Sequence, residues 1–341
     1  MKRLSPLLIL FVALVVVLGF EFQRRWEQPL ATGEEGLLFT VDRGDTLHSI
    51  AGRLVEEGVM PESHLLTLYG RITGLDARLQ RGEYLIPPST TRAGLLDLLQ
   101  SGNVVQYQLT VPEGLTLNQA LAVLAREDSL VQTLENAADP RILALSADYP
   151  APEGLFLPET YRFVRGDSDW SILRRAFAAM QRVLRQEWEA RADSLPFESP
   201  YEALVLASII ERETGVAGER GEIAGVFVRR LQKGMRLQTD PTVIYGLGEV
   251  FDGNLRRSHL TDAANPYNTY RHHGLPPSPI ALPGRAAIHA ALNPAPGDSL
   301  FFVARGDGSH VFSTTLEAHE RAVRKYQLRR RQDYRSRPEV P

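Results

Sequence analysis

The sequence contains no cysteine. Disulfides and thiolate metal sites are therefore excluded. The compartment stays open, because a chain of 341 residues builds a sufficient core without disulfides. Lysine is nearly absent as well, occurring only as Lys2, Lys233 and Lys325. A pyridoxal-phosphate or other Schiff-base mechanism needs a desolvated lysine. Lys233 sits at an expected helix end and Lys325 in a charged terminal helix, so neither context provides one. The phosphate-loop, His-Glu-x-x-His, nucleophile-elbow and dinucleotide fingerprints are all missing. The eight histidines are scattered. Neither a metal site nor a cofactor is expected. A basic excess is missing too: the net charge is −3, which argues against nucleic acid as a partner.

Hydrophobic residues make up 43% of the chain and charged residues 23%, enough for a real core. Residues 4–20 form an uncharged apolar run, about the minimum length for a membrane-spanning helix. The run ends in Gly-Phe-Glu-Phe-Gln, a poor signal-peptidase site. An uncleaved anchor is expected, with the amino end in the cytoplasm and the rest outside. Lys2 and Arg3 are nearly balanced by Arg24 and Arg25, so flanking charge alone does not fix the orientation.

A repeat follows. Phe39-Thr-Val41, Gly44, Thr46-Leu47 and Leu54 recur as Leu109-Thr-Val111, Gly114, Thr116-Leu117 and Leu124. Each copy reads as strand, glycine turn, threonine N-cap and amphipathic helix, with Thr116 and Gln119 as a capping box. The first copy, with a closing strand at 82–87, resembles a LysM module, a β-α-α-β unit that binds N-acetylglucosamine-rich glycans. A plain scaffold of the same shape reads equally from these residues. Further helices are expected over 170–191, 201–214 and 219–232, and a hairpin around Gly306-Asp-Gly308. Thr314 and Glu317 read as the cap of the last helix.

The segment Ala203-Leu-Val-Leu-Ala-Ser-Ile-Ile-Glu-Arg-Glu-Thr214 is apolar on all sides until Glu211. At 100° per residue Glu211 shares a strip with Leu204, Ala207 and Ser208, whose small members leave a hollow. A carboxyl against apolar surface holds its proton more tightly, as a general acid must. A structural ion pair is the competing reading. Periodicity does not separate Glu211 cleanly from Glu213, and the small neighbours favour Glu211 only weakly. Loop-like segments around Glu153, Gln238, Asp240, Tyr245, Asn268, Thr269 and Tyr270 carry side chains suited to sugar hydroxyls and acetamides.

Taken in order, Glu153-Gly-Leu-Phe-Leu-Pro-Glu-Thr-Tyr161, Ala207-Ser-Ile-Ile-Glu-Arg-Glu-Thr214 and Met235-Arg-Leu-Gln-Thr-Asp-Pro-Thr-Val-Ile-Tyr-Gly246 resemble the YceG-like endolytic murein transglycosylases. Tyr267-Asn-Thr-Tyr270, Gly274-Leu-Pro-Pro277 and Ile280-Ala-x-Pro-Gly284 add to the likeness. Ser278 departs from it, standing where many relatives have glycine. The resemblance places the catalytic glutamate on Glu211. It implies an enzyme that cuts nascent peptidoglycan between N-acetylmuramic acid and N-acetylglucosamine, leaves 1,6-anhydro ends and terminates strand growth. It further implies peptidoglycan synthases as partners, an inner-membrane anchor and a periplasmic catalytic domain. Glu153, Gln238, Asp240, Tyr245, Asn268, Thr269 and Tyr270 become the substrate-binding candidates. The expected fold is α+β: an anchor over 1–22, a linker over 23–37, a LysM-like subdomain over 38–105, a mixed α/β catalytic domain over 106–332 and a loose tail over 333–341. The alternatives are a non-enzymatic, membrane-anchored glycan-binding scaffold, and an inverting hydrolase pairing Glu211 with Glu153, Glu159 or Asp240.

Overall fold

The computed structural model describes residues 6–328, excepting the side chains of residues 6–9, 76 and 77. The tail expected over 333–341 and the first residues of the expected anchor lie outside this range. The chain divides into two compact units. One comprises the residues up to Gln108 with Arg162–Asp167, the other Leu109–Tyr161 with Ser168 onward. Among the described residues the strands form three two-stranded sheets amid many helices, a mixed α and β architecture.

The first unit contains α1 (Pro6–Glu27), β1 (Leu37–Val41), α2 (Leu47–Glu56), α3 (His64–Thr73), β2 (Gly82–Ile86) and α4 (Arg92–Ser101). Along α1, Leu10, Phe11, Leu14, Val17, Leu18 and Phe20 are exposed. Among the described residues no helix is long and apolar enough to cross a membrane. The order β-α-α-β over β1 to β2 is the expected one. The strands pair antiparallel, Phe39 opposite Tyr84 and Val41 opposite Gly82. Their alternation sends Phe39, Val41, Tyr84 and Ile86 into a core with Leu47, Ile50, Leu54, Leu66, Leu95 and Leu99. Thr46 and Ser49 close a capping box at the start of α2.

Strands β3 (Gln106–Thr110) and β4 (Thr160–Val164) pair with each other. The second unit then holds α5 (Leu117–Leu124), α6 (Pro140–Leu145), α7 (Asp169–Glu189), α8 (Pro200–Glu213), α9 (Arg220–Gln232), α10 (Asp240–Leu247), α11 (Arg257–Thr261), α12 (Arg285–Leu292), β5 (Phe301–Ala304), β6 (His310–Ser313) and α13 (Leu316–Tyr326). Helix α8 is its centre, packed against α7, α9, α10 and α12. Every residue from Ala203 to Ile210 is buried, as an apolar-all-round helix requires. Each leucine or isoleucine removed from water there stabilises the fold by about 2 kcal/mol. Ser199 caps α8 and Pro200 occupies its first turn. Thr116 and Gln119 form the expected capping box of α5. The cap of α13 is Thr315, whose hydroxyl accepts from Ala318 N–H, and not Thr314. The hairpin β5–β6 ends at Ser313, so Thr315 is the residue that turns extended before the helix.

Candidate active site

Glu211 is in the last turn of α8, at the point where the buried helix reaches the surface. Its side chain is 5% exposed. Oε2 accepts the Gly284 N–H at 3.0 Å, and Oε1 lies 3.4 Å from Nη2 of Arg220. The same Arg220 nitrogen stands 3.6 Å from Oε2 of Glu113, so one guanidinium bridges two carboxylates. Arg220 is the first residue of α9, an end where a cation is electrostatically disfavoured. The two acids are what hold it there. Burial raises the proton affinity of Glu211 most, and the charge of Glu113 adds to it; Gly284 N–H and Arg220 pull the other way, and the balance stays above the ordinary carboxylate value.

Three chain segments converge to build this arrangement. Gly114, at φ +76°, lets the Pro112-Glu113-Gly114 turn fold against Leu282. There Gly114 N–H donates to Leu282 O at 2.9 Å and Leu282 N–H to Leu115 O at 2.7 Å. Arg212 fastens the same turn from α8, donating to Gly114 O at 2.9 Å. Behind Glu211, the Ser208 hydroxyl accepts Ile280 N–H at 3.0 Å. The strip of small residues expected beside Glu211 is thus filled by the 279–284 segment. Glu213, two residues on, faces another partner and accepts from the Thr239 hydroxyl.

Two cavities adjoin this end of α8. One, of about 940 Å³, includes Glu113, Arg220, Glu187, Arg285 and His289 in its lining. The other, of about 870 Å³, takes Arg212, Glu213, Gln238, Asp240 and Tyr270. Glu211 itself lines neither, but its partners line the first and its helical neighbours the second. Of the expected substrate contacts, Gln238, Asp240 and Tyr270 are brought together in the second cavity. Gln238 adopts φ +53°, and Tyr270 donates to Asp240 at 2.7 Å. Burial, then the Asp240 charge, holds the Tyr270 proton tightly.

The other candidates lie elsewhere. Asn268 is fully buried, donates to the carbonyls of His259, Leu260 and Asp262, and accepts from Tyr270 N–H. Thr269 is buried against Thr239 and Thr242. Glu153 accepts Leu117 N–H at 2.9 Å and the Tyr245 hydroxyl at 3.2 Å. Burial raises its pKa to about 7 against both of those bonds, and burial followed by the Glu153 charge raises that of Tyr245. Gly154, at φ +81°, is packed so closely that an added Cβ would lie 2.4 Å from Cβ of Pro279. Ser278, the departure from the family pattern, is buried with its hydroxyl 2.7 Å from that of Tyr267.

Glu113, Arg220 and Gly284 complete the site although the sequence did not single them out for it. Among the described residues no group of three or more His, Asp or Glu could hold a metal ion.

Comparison with known proteins matches residues 39–325 to the YceG-like family. The endolytic murein transglycosylase of Bacillus subtilis is 31% identical over 304 residues, covering 84% of this chain and 83% of its own. An endolytic murein transglycosylase of Streptococcus pneumoniae is 26% identical over 317 residues, 83% of this chain but 57% of its own length. The crystal structure of a YceG-like protein from Listeria monocytogenes aligns with a TM-score of 0.54 at 30% identity, covering 85% of this chain and 99% of that one.

Proposed function

This chain belongs to the YceG-like family, and from that premise we propose that it is a murein transglycosylase, a lyase of the bacterial envelope that acts on peptidoglycan. The observation that carries the reading is the buried Glu211 carboxyl, held protonated beyond its ordinary range and flanked by Arg220 at the end of α8.

In the proposed reaction Glu211 gives its proton to the glycosidic oxygen between N-acetylmuramic acid and N-acetylglucosamine as the bond to C1 breaks. The 6-hydroxyl oxygen of the same muramyl residue forms the new bond to C1 and passes its proton to the Glu211 carboxylate. One bond breaks and one forms, no water is consumed, and the glutamic acid is regenerated as a 1,6-anhydro end appears. Water is not the nucleophile, so the second carboxylate of a hydrolase is not required. Arg220 and Gly284 N–H stabilise the carboxylate while the proton is away.

In this reading Gln238, Asp240 and Tyr270 contact the sugar, while Glu153, Tyr245, Asn268 and Thr269 shape the wall behind it. Residues 4–20 anchor the chain in the inner membrane, which fits the exposed apolar side chains along α1. The 38–105 subdomain engages glycan in the manner of a LysM module, the 106–332 domain cuts it in the periplasm, and the partners are synthases whose strand growth the cut terminates.

The test is to incubate the full chain in detergent with purified glycan strands and to seek anhydro ends by mass spectrometry, with Glu211→Gln in parallel. Anhydro ends from wild type alone support the reading. Reducing ends would select an inverting hydrolase, and uncut strands a non-enzymatic glycan-binding scaffold.

A further inference from the structure

The cavity beside Glu113 and Arg220 has a second polar feature that the proposed chemistry does not use. Arg285 and His289 stand one turn apart on α12 and both line it. Their side chains are 61% and 60% exposed, yet both are anchored to one buried acid. Glu187 of α7 is 7% exposed; Oε1 accepts from Arg285 Nε at 2.7 Å, and Oε2 lies 2.8 Å from Nδ1 of His289. Burial alone would make that acid harder to ionise, but its bonds to His289 and Arg285 win and hold it below the ordinary range. Glu187 is therefore ionised at neutral pH.

An exposed ion pair adds little to stability. What this arrangement achieves is orientation. With Nε committed to Glu187, the two terminal nitrogens of Arg285 remain for the cavity, and a guanidinium edge of that kind fits a carboxylate in bidentate fashion. Arg285 also directly follows Gly284, whose N–H holds Glu211. One residue step is about 3.8 Å. Glu113 and Arg220, which flank Glu211, line the same cavity as Arg285, so a muramyl ring bound against them would turn the substituent on its C3 oxygen toward this side chain. That substituent is a lactyl group, and it carries a carboxylate, either free on a bare strand or further out along a peptide stem.

We propose that Arg285, with His289 beside it and Glu187 locking both, forms a carboxylate-binding subsite for the branch of the muramyl residue next to Glu211. The subsite rests on the transglycosylase reading for its ligand. Glu187 already neutralises one charge there, so recognition comes from directed hydrogen bonds more than from net charge.

The experiment measures calorimetric binding to the full chain carrying Glu211→Gln, which prevents turnover, with and without Arg285→Ala. Three oligosaccharides are compared: peptide-bearing, stripped to the free lactyl carboxylate, and stripped with that carboxylate converted to a methylamide. Arg285→Ala is expected to weaken a carboxylate ligand about tenfold, the scale of one charge-assisted hydrogen bond, and to leave the amide unaffected. A loss confined to the peptide-bearing ligand assigns the stem carboxylate, a loss confined to the stripped acid assigns the lactyl carboxylate, and a loss on both shows that the subsite takes either. Equal loss on all three, or none on any, overturns the subsite. Anhydro-end release by wild type is followed separately. Its absence alongside a selective loss of binding would sink the transglycosylase reading and leave the subsite standing.

Discussion

Glu153 and Glu211 lie in the same unit, and burial lifts the proton affinity of both. Their partners differ. Glu153 is held by a backbone N–H at the start of α5 and by the hydroxyl of a buried tyrosine, and it lines neither of the large cavities. Glu211 shares an arginine side chain with a half-exposed second acid that does line a cavity. Desolvation sets how tightly a carboxyl keeps its proton; the partners set whether the proton has somewhere to go. A raised pKa therefore marks both residues and distinguishes neither. The geometry around them is the ground on which we propose chemistry for one and architecture for the other.

Neutralising each acid in turn separates the two most strongly. Glu211→Gln is expected to lower turnover about a thousandfold, the scale of general acid–base catalysis. The melting temperature should stay the same or rise, since a costly buried carboxyl is removed. Assays of anhydro ends and thermal melts on the same preparation check both halves. An active Glu211→Gln enzyme would leave Glu211 no more chemical than Glu153.

Glu153 should reveal itself in stability. Its native pKa of about 7 lies above the ordinary 4.5, so at intermediate pH the native state holds a proton that the unfolded chain has released. The protonated form stabilises the fold fully below pH 4.5, and that contribution, up to about 3 kcal/mol, is lost as the pH rises through 7. Denaturant unfolding of wild type against Glu153→Gln at pH 5 and pH 8 isolates it. The advantage of wild type over the variant should be larger at pH 5. A difference independent of pH would show that Glu153 is solvated in the native state.

The local parts of this arrangement were legible in the sequence. The N-caps at Thr46 and Thr116, the capping box of Thr116 with Gln119 and the apolar run of α8 are short-range signals, and they fold as read. The one-residue displacement of the last cap to Thr315 is of the same local kind, two adjacent threonines offering equivalent hydroxyls. The company of Glu211 was hidden because it is long-range. Gly284 is 73 residues away, and the Gly114 turn is 98 residues from the arginine that fastens it. Two weak signals did exist. The repeat already marked Gly114 as a turn, and Arg220 stands at a helix start, where a cation needs a reason. Asn268 looked like a sugar ligand by type, and its type equally suits the three backbone carbonyls to which it donates.

Arg220 can be removed without touching either acid. Its charge lowers the pKa of Glu211, so Arg220→Met should raise that pKa further. The alkaline limb of kcat/KM, which reports the acid of the free enzyme, should then move to higher pH. An unmoved limb would mean that Arg220 does not sense the Glu211 charge.

Gly284→Ala tests the opposite side with the smallest perturbation. Gly284 has φ −74°, a conformation alanine adopts freely, so the backbone is not strained. An added Cβ would fall 1.7 Å from Oε1 of Glu113, but that atom ends a flexible side chain and can swing away. The stability cost should stay within about 1 kcal/mol. The charge of Glu113 raises the pKa of Glu211, so its displacement should lower that pKa and move the alkaline limb to lower pH, opposite to Arg220→Met. Glu113→Gln should move it the same way. If Gly284→Ala and Arg220→Met shifted the profile in the same direction, the two acids would not be competing for one guanidinium, and the contrast between an exchangeable and a sealed carboxyl would lose its electrostatic basis.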